Sequence, residues 1–163
     1  MTQRASPAFT LVELILVMAL LTTIMAVSLP SIARSFRQHN LEQEAARLLA
    51  VTEYGRDEAI SEGVPMSVWV DPEKGLFGVD AAEGYLPGDV HRKQYALGRD
   101  IHFDVAKTAV TADGHVEAAL FAPDGGLDPS GVDLIRLVDR SDSAMTVART
   151  ADGWSYEIVK EAR

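Results

Sequence analysis

Cysteine is missing from all 163 residues. That excludes disulfides, thiolate metal sites and thiol redox pairs, so any folded part relies on core packing. Runs of lysine or arginine are missing as well. With 15 basic against 24 acidic side chains, the formal charge is −9. Such a chain is repelled by phosphate backbones and anionic lipid heads, and nucleic acid is a poor partner on charge alone. The glycine fingerprints of P-loops and dinucleotide sites do not occur, and neither does a G-x-S-x-G nucleophile elbow. His39, His91, His102 and His115 fall into no HxxxH or HExxH spacing, which leaves them without a metal or catalytic reading. Around Asp124, Asp128 and Asp133 the Asp-x-Asp-x-Asp-Gly rhythm of a calcium loop is absent, so turn formation is their expected role. No internal repeat or low-complexity tract is visible. Neither a metal, a cofactor nor an enzymatic reaction is expected.

What the chain does have is one long apolar run, Phe9–Leu29, FTLVELILVMALLTTIMAVSL. Its length matches the ~20 residues a helix needs to cross a hydrocarbon core. The only charge inside it is Glu13. A charged side chain at mid-bilayer costs about 2.5 to 3.5 kcal/mol on insertion scales, so an intramembrane carboxylate is a functional hypothesis by default. A short polar leader, MTQRASPA, precedes the run and carries a single charge, Arg4.

The helical signal continues beyond Pro30. Leu41, Ala45, Leu48, Leu49, Thr52, Ala59 and Ile60 recur at three- and four-residue steps and predict an apolar face. Glu42, Glu44, Arg47, Glu53, Arg56, Asp57 and Glu58 occupy the others. Gly55 weakens the pattern without ending it, and Gly63 with Pro65 supplies the stop. One helix from Phe9 to about Ser61 is the simplest reading. From Pro65 the period becomes two. Strands are expected at Met66–Val70, Leu76–Val79, Tyr95–Leu97, Ile101–Val105, Val116–Ala122, Asp133–Val138, Met145–Thr150 and Trp154–Val159, with a bulge at Gly78. Trp69 and Trp154 are expected in the core. With roughly 130 residues beyond leader and span, the chain suffices for one compact domain. The fold class is α+β: a long N-terminal helix, its first half membrane-spanning, packed on an antiparallel β-sheet domain.

The leader, the FTLVE junction and the unbroken apolar helix together resemble the class III signal of type IV pilins and type II secretion pseudopilins. The resemblance implies that prepilin peptidase cuts between Ala8 and Phe9 and methylates the new amino group of Phe9. Glu13 then becomes the fifth mature residue. Its carboxylate would meet the N-terminal ammonium of an adjacent subunit and set the register of assembly. Pro30 matches the proline that commonly kinks the pilin helix. Ala8 stands where the family usually has glycine and is small enough to serve. Two further segments, ARLLAVTEYGRDEAISEGVPMSVWV and FAPDGGLDPSGVDLIRLV, are similar to the GspH/FimT group. In the second, Phe121, Pro123, Gly125 and Leu134–Leu137 carry the likeness.

The implied organisation is a leader at 1–8, a transmembrane and filament-core helix at 9–30, an amphipathic helix at 31–62 and a β-rich periplasmic domain at 63–163. The implied protein is a non-enzymatic minor pseudopilin of the type II secretion machinery, pilin-like in fold, anchored once in the bacterial inner membrane. Its partners would be the other minor pseudopilins and the major pseudopilin, with prepilin peptidase acting on it as substrate. One alternative is a FimT-like minor type IV pilin in pilus assembly or DNA uptake, although the tail SYEIVKEAR offers no cationic excess. The other is a soluble periplasmic enzyme or binding domain released by cleavage after Ser31-Ile32-Ala33 and starting at Arg34.

Overall fold

The structure, a computed structural model, describes residues 10–82, 84–85, 93–105 and 114–160, without the side chains of 27–37 and 160. The chain divides into two units, Met1–Arg37 and Gln38–Arg163. Helix α1 spans Leu11–Glu62 and belongs to both. Thr10 caps its start, its Oγ1 accepting from the Glu13 N–H at 3.3 Å. At the other end the Gly63 N–H donates to the Ala59 carbonyl at 3.0 Å, and Pro65 two residues on prevents continuation.

In the second unit α1 is an amphipathic helix with a narrow buried stripe. Leu41, Ala45, Leu48, Thr52 and Ala59 are 0–2 % exposed, at alternating steps of four, three or seven residues. Gly55 completes the stripe, and its effect is to let the helix come close to the sheet. A methyl group there would lie 2.8 Å from Val68 Cγ2. The glycine that weakens helix propensity is thus the contact point with the β layer. Ile60 departs from the expected apolar face: it is 50 % exposed, one step past the last residue that the strands cover.

Among the described residues the β layer has eight antiparallel strands in two sheets. In the first, the order is β3-β2-β1-β5, and in the second β4-β6-β7-β8. The strands are β1 Met66–Asp71, β2 Leu76–Ala81, β3 Lys93–Ala96, β4 Ile101–Asp104, β5 Val116–Phe121, β6 Leu134–Asp139, β7 Ala144–Arg149 and β8 Tyr156–Lys160. Period-two alternation selects the core-facing set: Met66, Val68 and Val70 on β1, Phe77 and Val79 on β2, Ile135 and Leu137 on β6, Met145 and Val147 on β7. These pack with the helix stripe into one cluster. The architecture is α+β, helix on antiparallel sheet.

The β-bulge lies elsewhere than expected. The β1–β2 register runs through Gly78 without a break, whereas the β1–β5 register shifts between Val68 and Trp69, so that Ala119 and Glu117 face them. Ala118 is the extra residue. Its carbonyl accepts the Val132 N–H at 3.0 Å and the Tyr156 hydroxyl at 2.9 Å. Tyr156 also reaches the Val132 carbonyl at 2.8 Å, and Arg149 donates to the carbonyls of Asp128 and Gly131 at 3.2 Å. The bulge therefore turns a carbonyl toward the second sheet and joins the two. Gly78 serves a different purpose. A Cβ there would fall 2.2 Å from the Lys93 carbonyl oxygen and 2.9 Å from the Trp69 ring, so its bareness admits both the edge strand and the indole.

Candidate functional site

The feature that singles out this chain is the first part of α1. From Leu11 to Ala26 every described side chain is exposed. Leu11, Val12, Leu14, Ile15, Leu16, Val17, Met18, Leu20, Leu21, Ile24 and Met25 range from 42 to 74 % exposed. No polar face interrupts them, as one does in a helix made to lie half in water. The two hydroxyls are turned inward: Thr22 Oγ1 and Thr23 Oγ1 donate to the Ala19 carbonyl at 2.9 and 2.8 Å. Such back-bonding hides a hydroxyl from an apolar surrounding. Only Glu13 breaks the pattern. It is exposed, and among the described residues its carboxylate has neither a hydrogen bond nor an ion pair. It stands in the first helical turn, where the positive end of the helix dipole favours a negative charge.

An apolar surface this continuous calls for lipid or other helices as its surroundings. Among the described residues no helix is long and apolar enough to cross a membrane. The stretch with described side chains, Leu11–Ala26, covers ~24 Å at 1.5 Å per residue. Ala8 and Phe9 lie outside the described residues. Pro30 lies within the range of α1; lacking an N–H, it cannot donate to the Ala26 carbonyl.

The remaining sequence candidates do not converge. His39 Nε2 lies 3.1 Å from Gln43 Nε2 on α1, and His102 is exposed on β4. His115 precedes β5, its ring 4.5 Å from that of Trp69. His91 lies outside the described residues. Among the described residues no three His, Asp or Glu side chains are grouped to hold a metal ion. Asp124 Oδ1 accepts the Gly126 N–H at 2.9 Å, and Asp128 Oδ1 the Ser130 N–H at 2.8 Å. Asp133 faces Arg149 at 3.7 Å. The first two close turns around themselves, as Asx residues do.

Three arrangements escaped the sequence reading. Asp71, only 1 % exposed at its side chain, accepts the N–H groups of Glu73 and Lys74 and the Lys74 ammonium at 2.8 Å. Burial works against its charge, but the Lys74 hydrogen bonds and the Lys74 and His115 charges outweigh it and hold the carboxyl below its usual range. Across the helix–sheet seam, Arg47 lies 4.9 Å from the Tyr95 ring centre while the Lys93 ammonium lies 3.8 Å from that of Tyr54. Helix and edge strand thus exchange one cation and one aromatic ring each. Finally, Trp154 is not in the core: it is 55 % exposed, in the turn before β8. Trp69, by contrast, is buried as expected, its Nε1 donating to Asp80 at 3.0 Å.

No family model and no curated protein sequence matches the chain. Solved structures do. The type IV minor pilin FimU of Pseudomonas aeruginosa PAO1 aligns with a TM-score of 0.53 at 19% identity, over 77% of this chain and 91% of that one. A second crystal form of FimU gives 0.50 at 20% identity, over 75% and 93%. The minor pseudopilin EpsH from the type II secretion system of Vibrio cholerae gives 0.53 at 14% identity, over 77% and 96%. The chain therefore has a type IV pilin-like fold of the kind seen in the GspH/FimT group.

Proposed function

We propose that this protein is a minor subunit of a pilin-like filament, and specifically a minor pseudopilin at or near the tip of a type II secretion pseudopilus. The observation that carries the reading is the apolar start of α1 with Glu13 as its one unpaired charge. In lipid that carboxylate is a cost; against the amino terminus of a neighbouring subunit it becomes a satisfied ion pair. The same group thus favours leaving the membrane for the filament and fixes the register on arrival. Phe9, freed by prepilin peptidase after Ala8 and methylated, supplies the ammonium, since methylation keeps the charge. Pro30 bends the helix where filament core gives way to domain. The domain stands in the periplasm, the helix passes once through the inner membrane, and the other minor pseudopilins and the major pseudopilin are its neighbours. Its role is structural, with the peptidase as the enzyme that acts on it.

A minor type IV pilin is the second reading, since the minor pilin FimU aligns with the same TM-score, 0.53, as the minor pseudopilin EpsH. Deleting the gene in its host separates the two. Loss of extracellular enzymes with surface pili intact supports the pseudopilin; loss of pili with secretion intact supports the pilin. If both survive, the chain is not a required filament subunit.

A further inference from the structure

The edge of a sheet is a row of unused backbone donors and acceptors. Among the described strands, three of the four edges are blunted. Beside β5, the Asp128 N–H donates to the Leu120 carbonyl at 2.8 Å and the Val132 N–H to the Ala118 carbonyl at 3.0 Å. Beside β3, Arg47 Nη1 donates to the Ala96 carbonyl at 3.3 Å. β4 is four residues long and exposes His102 and Asp104, the latter paired with Arg136 at 2.9 Å. The fourth edge is β8. The Thr150 N–H donates to the Ser155 carbonyl at 2.9 Å, and this fixes the alternation along the hairpin. Glu157 and Val159 turn their backbone groups toward Ala148 and Thr146 on β7, whereas Tyr156 and Ile158 turn theirs away. Among the described residues no hydrogen bond reaches the backbone N–H or C=O of Tyr156 or Ile158.

Side chains along this edge divide by face. Tyr156 lies in the core and Ile158 packs against it. Glu157 and Val159 take the outer face, and both are exposed. On that face Val159 neighbours Thr146, Glu157 neighbours Ala148, and Leu134 lies beyond Ala148 on β6. Val159 is 42 % and Leu134 55 % exposed, so two apolar side chains stand on either side of the small residues Ala148 and Thr146. The Arg136 charge on the same face is met by Asp104. Glu157 has neither a hydrogen bond nor an ion pair among the described residues.

We propose that β8 accepts an added strand from a different protein, an extended segment that sets a lysine or arginine against Glu157 and an apolar residue against Val159. The outward N–H and C=O groups of Tyr156 and Ile158 give the strand its affinity, and the two outer-face side chains choose it. A second copy of this chain does not meet the requirement. The β8 residues on the outer face are Glu157 and Val159, so pairing β8 with β8 sets Glu157 against a glutamate or a valine and never against a base. That the partner is another subunit of the same filament rests on the reading above; the open edge and its charge do not.

The test places a photo-reactive benzophenone amino acid at position 159 of the full chain in its native membranes, with position 94, exposed on β3, as control. The expected result is one adduct at 159 and none at 94. Peptide mapping should place it in a different protein, on a segment with Lys or Arg two residues from an apolar residue. Ile158→Pro removes an outward N–H and leaves the β7 ladder its donors, and it should reduce the adduct at least tenfold. If the proline variant does not unfold cooperatively, an ester in place of the Ile158 amide removes the same N–H with the side chain kept, and should have the same effect. Glu157→Lys, at an exposed side chain, should also reduce the adduct at least tenfold with thermal unfolding unchanged, and high salt should weaken the parent adduct. An adduct to a second copy, to lipid alone or to nothing overturns the proposal. So does an adduct that survives loss of the Ile158 N–H, which would mean contact without an added strand, or one indifferent to Glu157→Lys. The expected adduct on a chain that does not begin at Phe9 upholds the strand site and removes the filament subunit as its partner.

Discussion

Leu11–Ala26 and Gln38–Glu62 belong to one helix, yet their apolar residues are arranged differently. In the first, leucine, isoleucine, valine and methionine cover every face and all are exposed. In the second, a stripe from Leu41 to Ala59 is buried against the sheets while charges face water. Helix propensity does not separate them, since both are rich in good formers. Placement of apolar residues does. The second segment finds its partner in the β layer, whereas the side chains of Leu11–Ala26 are exposed among the described residues. A helix that is apolar all round is complete only in lipid or in a bundle of its own kind.

The comparison breaks most sharply on a pair of leucines. Leu48→Ala removes a fully buried side chain and should cost about 2 to 5 kcal/mol in denaturant unfolding of the detergent-solubilised chain. Leu16→Ala, at a residue 70 % exposed, should stay within about 0.5 kcal/mol. Equal losses would mean that the first segment has an intramolecular partner after all. Gly55→Val tests the close approach of helix to sheet. Its side chain would meet Val68 Cγ2, and overpacking of this kind should cost about 1 to 3 kcal/mol in the same experiment.

Glu13→Val acts only on the first segment. Incorporation into filaments, measured by co-sedimentation from shear fractions, should fall at least tenfold, worth about 1.4 kcal/mol, with the unfolding midpoint unchanged. Unaltered incorporation would remove the assembly role from Glu13. The smallest effect is confined to the second segment's domain and depends on pH. The Asp71 carboxyl titrates lower in the folded protein than its ordinary 3.8. The native state therefore holds that proton less readily than the unfolded chain. The stabilisation is complete above about 3.8 and disappears as pH falls through the folded value. Asp71→Asn should lower the thermal midpoint at pH 7, and the gap to the parent chain should narrow below pH 4. A gap that stays constant would show that the charge plays no part.

The sequence made the strands legible because alternation and glycine turns are local signals. All eight appear within two or three residues of their expected positions. The helix stop was legible for the same reason, with Gly63 at the boundary; Phe9, the expected start, lies outside the described residues. What depends on distant chain segments was not. Gly55 reads as a weak point until Val68, on another element, is seen across from it. Ala118 carries no sign of a bulge, because alanine fits either register and the decision is made by Tyr156 and Val132. Trp154 sits beside a strand signal, and alternation alone does not tell a first strand residue from the last residue of a turn. Glu13 was conspicuous because its neighbours are all apolar. Its proposed partner belongs to another molecule and leaves no trace within one chain.

The central claim, that the apolar half of α1 is the membrane and filament segment of a processed subunit, turns on the residue that begins the mature chain. Mass spectrometry of the protein recovered from membranes reads it directly. N-methyl-phenylalanine at position 9, with Glu13 fifth, is the predicted result. A chain beginning at Arg34 would contradict the account, since it would discard Glu13 and the apolar segment together.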